Sequence, residues 1–381
     1  MSPKTISDNS RRKFIRDAGL TALSIPAISA LSGSILSNEE KNQQMQNQKV
    51  PGKLGIAIVG LGTYGGGQIT PALQQTENCY LAGIVTGTPS KAETWKTKYS
   101  IPDKNIYDYK NFDSIKNNPD IDAVYVALPN SMHKEYVVRA AQAGKHVICE
   151  KPMAITVADC DTMIAACKKA NKALLVGYRL QFEPYNLQMA WLGQKKIYGK
   201  VKKMTAGFGF VIGDPTQWRL KKDYAGGGPL MDLGIYCIQG FCYTTGMEPI
   251  AVTAQEGPKT DPVKFKEVEQ SISWQFEFPD GVIAEGRASY GDNANFIKAE
   301  AEKGMFELTS AFNYSGQKGA TTDGPMALPK VNQQARQLDA MALSIMNKTP
   351  INVTGEMGKR DVKYLQAIYE AMRTGKRVAL K

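Results

Sequence analysis

A short apolar segment that ends in a glycine-rich turn constrains the fold of this chain more than any other feature. Residues 53–60 read K-L-G-I-A-I-V-G, which is typical of a buried parallel strand. The chain then completes the pattern G-x-G-x-x-G and opens a helical stretch, whose free N–H groups suit an anion. The pattern predicts a Rossmann domain that holds the pyrophosphate of a dinucleotide on Gly60, Gly62, Thr63, Tyr64 and Gly65.

Length and composition fit two globular domains and argue against other classes. The chain has 381 residues, of which 43% are hydrophobic and 22% charged. The net charge of +11 comes from scattered Lys and Arg without interleaved aromatics, so we expect no nucleic-acid partner. The six cysteines show no C-x-x-C spacing and there are two histidines, so we expect no metal site and buried free thiols.

The end of the second predicted strand bears on the choice of dinucleotide. Residues 80–85 form that strand and run into T-G-T-P-S-K over residues 86–91. NAD enzymes usually carry Asp or Glu here to bind the ribose 2′-hydroxyl, and this loop has neither. Hydroxyls and a lysine suit a 2′-phosphate, so Thr86 and Lys91 favour NADP over NAD. The alternative is an ordinary polar turn.

Two further predicted strands end in polar residues. Residues 123–128 run into Pro129-Asn130-Ser131, and residues 145–149 run into Glu150-Lys151-Pro152. Both ends belong to the carboxyl edge of a parallel sheet, where such folds bind ligands. Pro152 restricts the backbone of Lys151 towards an extended conformation, which would fix a lysine at this edge. We therefore predict a chemical role for Lys151.

The N-terminus reads as a targeting segment. Arg11 and Arg12 precede Phe14 and a weakly apolar stretch over residues 18–36, a pattern that predicts a twin-arginine-type signal over residues 1–37. We therefore expect export to the periplasm through the twin-arginine machinery, which carries folded proteins, with a membrane tether if the segment is retained. A membrane anchor is the alternative, but the stretch is short and contains Gly and Pro. Residues 38–52 are predicted to be a polar linker or arm.

Several motifs resemble one family. Residues 143–154 read A-G-K-H-V-I-C-E-K-P-M-A, which resembles the signature of the Gfo/Idh/MocA oxidoreductases. Residues 128–133 and 177–179 fit the same family, as do residues 366–371 and 374–376. Residues 217–220 and 225–236 are similar to its glucose–fructose oxidoreductase branch. The resemblance covers roughly residues 53–381.

The resemblance implies an α/β chain with two domains. An N-terminal Rossmann NADP-binding domain would span residues 53–178. A C-terminal α+β domain with a large, mainly antiparallel open sheet would span residues 179–381, bind substrate and form a homo-dimer or homo-tetramer. The last helix would pack back on the Rossmann domain.

The resemblance also assigns site residues. It implies catalytic roles for Lys151, Asp232 and Tyr236, of which the last replaces a His found in many family members. These three would also contact substrate, together with Tyr314. The further cofactor contacts it implies are Thr86, Lys91, Tyr109, Leu128, Pro129, Asn130, His133, Glu150, Lys151, Arg179, Trp218 and Arg219.

These residues predict an acid–base mechanism. Tyr236 would move the proton of a sugar hydroxyl, and the Lys151 ammonium would stabilise the phenolate. Asp232 lies four residues before Tyr236, on the same face if the stretch is helical, and would orient Lys151 or sugar hydroxyls. Alternatively, Asp232 caps a helix after the glycines of residues 226–228, which predict a flexible rim beside the cofactor.

The functional prediction is an exported, NADP-dependent sugar oxidoreductase. Because free NADP is scarce outside the cytoplasm, we expect NADP(H) to stay bound and to cycle between aldose oxidation and ketose reduction. The main alternative is a single-substrate sugar or polyol dehydrogenase or reductase that uses NAD(P). A redox-assisted glycosidase and a dinucleotide-binding regulatory protein are further alternatives.

Overall fold

A computed structural model describes residues 49–380. The predicted signal, residues 1–37, and most of the predicted arm, residues 38–52, lie outside the described residues. In the described part of the chain, no helix is both long and apolar enough to span a bilayer. All six cysteines are buried free thiols, as predicted.

The first sheet is the central layer of a Rossmann domain. Within the described residues its six strands pair in parallel, in the order β3-β2-β1-β4-β5-β6. This order is the one found in dinucleotide-binding folds. All six residues of β1 are buried, which explains why its sequence is apolar throughout. The strands are β1 (Leu54–Val59), β2 (Cys79–Val85), β3 (Ile106–Tyr107), β4 (Ala123–Val126), β5 (His146–Cys149) and β6 (Leu174–Val176).

Helices connect these strands. A π-helical turn over Gly65–Ile69 leads directly into the first of them. The helices of this domain are α1 (Thr70–Leu73), α2 (Pro89–Tyr99), α3 (His133–Gln142) and α4 (Val157–Lys169). The carboxyl ends of β1, β2, β4 and β5 therefore meet at one edge of the sheet.

A nine-stranded sheet, counted over the described residues, forms the second domain. Its order is β14-β13-β12-β11-β7-β10-β9-β8-β15, and only the β7–β10 pair among these neighbours is parallel. The strands are β7 (Val201–Gly209), β8 (Ala251–Glu256), β9 (Ser271–Glu277), β10 (Ile283–Ser289), β11 (Ala294–Ala301), β12 (Gly304–Thr309), β13 (Lys318–Thr321), β14 (Gly324–Met326) and β15 (Val378–Ala379).

The helices of this domain connect it to the first. They are α5 (Pro184–Gln194), α6 (Lys222–Ala225), α7 (Ile235–Thr245), α8 (Gln333–Asn347) and α9 (Gly355–Thr374), and a second π-helical turn over Leu230–Gly234 leads into α7. The last helix, α9, contacts α4 and β6 as well as β8. The predicted fold class is confirmed: a Rossmann domain is followed by an α+β domain with a mainly antiparallel sheet.

Candidate active site

The glycine-rich loop leaves room for a dinucleotide after β1. Gly60 has a φ of +98°, and a Cβ there would lie 2.7 Å from the Ala127 carbonyl oxygen. A Cβ on Gly65 would lie 2.2 Å from the Gly60 carbonyl oxygen, so the helix start packs directly on the turn. By contrast, a Cβ on Gly62 would meet no atom within 4 Å, and both Gly62 and Thr63 are exposed. This open face fits a pyrophosphate.

The loop after β2 lies beside the glycine-rich loop. Lys91 Nζ donates a hydrogen bond of 3.1 Å to the Leu61 carbonyl oxygen. The ring of Tyr109 packs against Gly87, where an added Cβ would lie 2.9 Å from Tyr109 Cε2. Thr86 is buried at the end of β2. The structure thus places Thr86, Lys91 and Tyr109 together at one end of the sheet edge.

His133 has a different role from the predicted one. Its ring is fully buried, with Nε2 2.9 Å from the Leu128 carbonyl oxygen and Nδ1 3.0 Å from the Pro152 carbonyl oxygen. Burial lowers the pKa of the imidazole. Because both nitrogens face main-chain carbonyls, neither is open to a cofactor. His133 instead connects the turn after β4 to the turn after β5.

The other predicted residues of the turn after β4 are wholly or partly shielded from solvent. Leu128 is buried, and Pro129 is half-buried. Asn130 Nδ2 donates to the Ala225 carbonyl oxygen at 2.8 Å, at the end of α6. Asn130 therefore joins the two domains beside the site.

Glu150 and Tyr64 are buried polar groups under the same edge. Glu150 accepts a hydrogen bond from Tyr125, whose hydroxyl also accepts one of 3.2 Å from Gln337 Nε2. Burial raises the pKa of Glu150 to about 7 despite these bonds. The buried hydroxyl of Tyr64 finds no partner within residues 49–380, and burial together with Glu150 raises its pKa. An unsatisfied hydroxyl beside an open glycine loop fits the polar groups of a dinucleotide.

Asp232 and Lys151 form the centre of the site. Lys151 Nζ donates to the Asp232 carbonyl oxygen at 2.7 Å and to its Oδ1 at 3.3 Å. Asp232 Oδ2 accepts hydrogen bonds of 3.0 Å from Arg219 Nε and from the Tyr290 hydroxyl. Burial opposes the carboxylate, but Arg219 and Lys151 outweigh it and hold the pKa of Asp232 well below its usual range. Asp232 therefore holds Lys151 in place, and within residues 49–380 its carboxylate accepts hydrogen bonds from side chains and from no main-chain N–H that it could cap.

Tyr236 lies on the first turn of α7, next to these charges. Lys151 Nζ is 4.5 Å and Arg179 Cζ 4.8 Å from the centroid of its ring. The ring packs on Phe208 and Phe312, with centroids 5.4 Å and 6.1 Å away. Two cations therefore lie over the Tyr236 ring and interact favourably with its electron-rich face.

Arg179 connects Tyr236 to Tyr314. Its guanidinium donates to Gln333 and to main-chain carbonyls of residues 312 and 313, and it lies 4.7 Å from the Tyr314 centroid. The Tyr314 ring is 6.0 Å from that of Tyr64. The predicted substrate residue Tyr314 thus reaches the edge of the site, and Arg179 is buried between two tyrosines.

Trp218 completes the predicted set. The Arg219 guanidinium lies 4.6 Å from the centroid of the Trp218 indole while its Nε binds Asp232. The structure therefore places Arg219 on the Asp232 carboxylate, which the sequence did not predict for this cofactor candidate.

Three residues of the site were not predicted from the sequence. Tyr290 follows β10, Tyr125 lies within β4, and Gln333 begins α8. None of them belongs to a motif, and each joins the site only through long-range contacts. The one usable signal is a polar hydroxyl at Tyr125 inside an otherwise apolar strand.

Fold and site together define a class: a two-domain oxidoreductase with a nicotinamide dinucleotide site at the carboxyl edge of a Rossmann sheet. Residues 54–178 match the model of an oxidoreductase family with an NAD-binding Rossmann fold, and residues 187–307 match the GFO/IDH/MocA C-terminal domain. The chain belongs to the Gfo/Idh/MocA oxidoreductase family, so the predicted family is confirmed.

Known relatives align with most of the chain. A crystal structure of the aldose–aldose oxidoreductase of Caulobacter crescentus, complexed with glycerol, is 43% identical with a TM-score of 0.84, and 86% of this chain and 100% of that one are covered. The NADP(+)-dependent D-xylose 1-dehydrogenase of Haloarcula marismortui is 25% identical over 93% of this chain and 99% of that protein. A second NADP(+)-dependent D-xylose 1-dehydrogenase, from Haloferax volcanii, is 27% identical over 85% of this chain and 99% of that protein.

Proposed function

We propose that the chain is an exported, NADP-dependent sugar oxidoreductase that keeps NADP(H) bound while it oxidises an aldose and reduces a ketose. The observation that carries the proposal is the Lys151–Asp232 pair beside Tyr236, at the edge where the glycine-rich loop lies. Two similar proteins, an aldose–aldose oxidoreductase and a D-xylose dehydrogenase, act on sugars and support this substrate class.

The residues divide the chemistry between them. Bound NADP supplies the acceptor and donor of hydride for a sugar C–H bond. Tyr236 takes the hydroxyl proton during oxidation and returns it during reduction. Lys151, held by Asp232, donates a hydrogen bond to the sugar oxygen and stabilises the charge that develops there.

The loop after β2 supports NADP as the preferred dinucleotide. Residues 86–91 contain no acid that would repel a 2′-phosphate, and they contain the hydroxyl of Thr86 and the ammonium of Lys91. Both D-xylose dehydrogenases are NADP(+) enzymes, which agrees with this choice.

Export supports the retention of the cofactor. The paired arginines Arg11 and Arg12 fit a twin-arginine signal, a pathway that carries folded, cofactor-loaded proteins. Outside the cytoplasm the enzyme would regenerate its cofactor with a second sugar. We further propose a homo-dimer or homo-tetramer as the exported form.

The cycle is tested on protein purified without added nucleotide. We expect nicotinamide fluorescence to rise when aldoses are added and to fall when ketoses follow, with nucleotide remaining on the protein through gel filtration. The alternative is a single-substrate dehydrogenase, which the similarity to D-xylose dehydrogenases favours. Such an enzyme would show only the rise in fluorescence with aldoses. Protein that binds NAD in preference and responds to no sugar would overturn the proposal.

Export is tested separately. Replacing Arg11 and Arg12 with Lys keeps the charge but removes the paired arginines, so folded, active enzyme should accumulate in the cytoplasm. Cell fractionation with an activity assay measures this. Normal export of the double variant would show that the twin-arginine assignment is wrong.

A further inference from the structure

The glycine segment of residues 226–228 is bound by a buried carboxylate and is not the flexible rim that the sequence predicts. Glu269 Oε2 accepts a hydrogen bond of 2.9 Å from the Gly228 N–H. Its Oε1 accepts one of 3.2 Å from the Leu230 N–H and one of 2.7 Å from the Tyr369 hydroxyl on α9. Glu269 is 5% exposed, so all three donors meet it away from water.

The glycines are needed because these side chains lie directly on the segment. A Cβ on Gly227 would lie 2.0 Å from the Tyr369 hydroxyl oxygen. A Cβ on Gly228 would lie 2.5 Å from the Glu269 carbonyl oxygen. The chain before the glycines is bound from the other side, where Asn130 donates to the Ala225 carbonyl oxygen.

The same pair of strands also binds Asp232. Glu269 lies just before β9, and Tyr290 directly follows β10, its antiparallel neighbour. The Tyr290 N–H donates to the Gln270 carbonyl oxygen at 2.8 Å, while its hydroxyl donates to Asp232. One end of the β9–β10 pair therefore fixes both the start of the Leu230–Gly234 turn and the carboxylate within it.

We propose that Glu269, assisted by Tyr369, is a positioning residue that sets the Leu230–Gly234 turn so that Asp232 holds Lys151 in place. A carboxylate suits this position because it accepts hydrogen bonds with both oxygens and carries negative charge at the start of a helical turn. The inference rests on the proposed function, because the work of Lys151 is defined by that function.

Three variants separate positioning from folding. Glu269→Gln keeps the shape but turns an –NH₂ group towards at least one of the three donors. Tyr369→Phe removes one donor and keeps the ring. Glu267→Gln is the matched control, because this exposed carboxylate, two residues away, bonds Lys221 and the Lys222 N–H at 3.1 Å each and no other described residue.

Stopped-flow kinetics on each cofactor-loaded variant measures the sugar-dependent step, with NADP affinity and thermal stability measured in parallel. We expect Glu269→Gln to lower kcat by about 10- to 100-fold, since a misplacement of about 1 Å at a reacting group can cost that much. NADP affinity should stay within about twofold. Tyr369→Phe should lose less, and Glu267→Gln nothing. A wild-type kcat in folded Glu269→Gln, with only stability reduced, would overturn the proposal.

Crystal structures of the wild type and the variants give a result that does not depend on sugar turnover. If the wild type reduces no cofactor with any sugar, the proposed function fails, but the positioning role is still decided by the distance from Lys151 Nζ to Asp232 Oδ1, which is 3.3 Å here. We expect this distance to lengthen by about 1 Å in Glu269→Gln. An unchanged distance would overturn the proposal, and Tyr369→Phe supplies the same test if Glu269→Gln does not fold.

Discussion

The two ends of the sheet edge are built differently. At the end that carries the glycine-rich loop and the loop after β2, Gly62 and Thr63 are exposed, and Lys91 Nζ bonds the Leu61 carbonyl oxygen at 3.1 Å. At the catalytic end, Asp232 accepts from Lys151, Arg219 and Tyr290. The end with the glycine-rich loop is therefore open, whereas the catalytic end is preorganised by partly buried charges.

This difference assigns separate effects to the two ends. Changes at the open end should alter which dinucleotide binds, because the loop after β2 lies there. They should leave the rate unchanged, because few side-chain contacts at this end depend on each other. Changes at the preorganised end should alter the rate, because each residue holds the next one in place.

Tyr236→Phe should give the largest loss of rate. The variant removes only the phenolic oxygen, while the ring keeps its packing on Phe208 and Phe312. Hydride transfer should slow by about 10²- to 10⁴-fold in both half-reactions, with cofactor still bound. Stopped flow with an aldose and with a ketose measures it, and Tyr224→Phe, at an exposed tyrosine, is the control. Wild-type rates in both directions would exclude Tyr236 as the acid–base group.

Lys151→Ala should lose a comparable factor, and the two losses should not multiply. Lys151 Nζ lies 4.5 Å from the Tyr236 centroid, so the two residues act as a unit. The double variant should be within about threefold of the slower single variant. The four rates of this mutant cycle are measured in single turnovers. Losses that multiply would show that Lys151 and Tyr236 act independently.

Thr86→Asp should change cofactor choice at the open end. A carboxylate there would repel a 2′-phosphate and accept a hydrogen bond from a free ribose hydroxyl. The ratio of NADP to NAD affinity should fall by about 10- to 100-fold, while the rate with saturating cofactor is retained. Thr94→Asp is the control, because it places the same charge on α2 and not at the end of β2. An unchanged ratio would favour the alternative of an ordinary polar turn.

Tyr290→Phe tests how far preorganisation extends from Asp232. The variant removes one hydrogen bond of 3.0 Å and leaves those from Arg219 and Lys151. One such bond contributes about 0.5–1.5 kcal/mol, so the rate should fall by about 3- to 10-fold without a change in NADP affinity. Steady-state kinetics with both parameters resolved measures it. A change in NADP affinity alone would contradict the division between the two ends.

Glu150→Gln should act on stability rather than on the rate, as a change in the pH dependence of stability. Burial raises the pKa of Glu150 from 4.5 to about 7, so its favourable contribution is present below pH 4.5 and is lost as the pH rises through 7. The melting temperature of the wild type should therefore fall between pH 4.5 and pH 7, and that of the variant should fall less. Identical pH profiles would contradict the assignment.

The sequence predicts the two ends of the sheet edge to different degrees. The open end follows from local rules: residues 60–65 form a turn that requires glycine, and residues 86–91 lack an acid. The catalytic end depends on long-range contacts, such as that of Tyr290, which lies 58 residues from Asp232. The resemblance supplied Lys151, Asp232 and Tyr236, and it supplied Arg219 as a cofactor contact, but it did not supply Tyr290, which also bonds Asp232.

His133 and the glycines of residues 226–228 show the limits of motif reading. His133 belongs to a segment that fits the family, yet both nitrogens of its ring contact main-chain carbonyl oxygens. The glycines suggested flexibility, whereas Glu269, 41 residues away, accepts a hydrogen bond from the last of them, Gly228. In both cases a local pattern gives the right place but leaves the tertiary partner unknown.

Isotope transfer between two sugars tests whether one bound cofactor carries hydride from an aldose to a ketose. Cofactor-loaded protein is treated with an aldose deuterated at C1, passed through gel filtration to remove free nucleotide and sugar, and then given an unlabelled ketose. We expect deuterium in the polyol product, about one per protein, with nucleotide retained throughout. Unlabelled polyol, or reduced nucleotide released before the ketose is added, would contradict it.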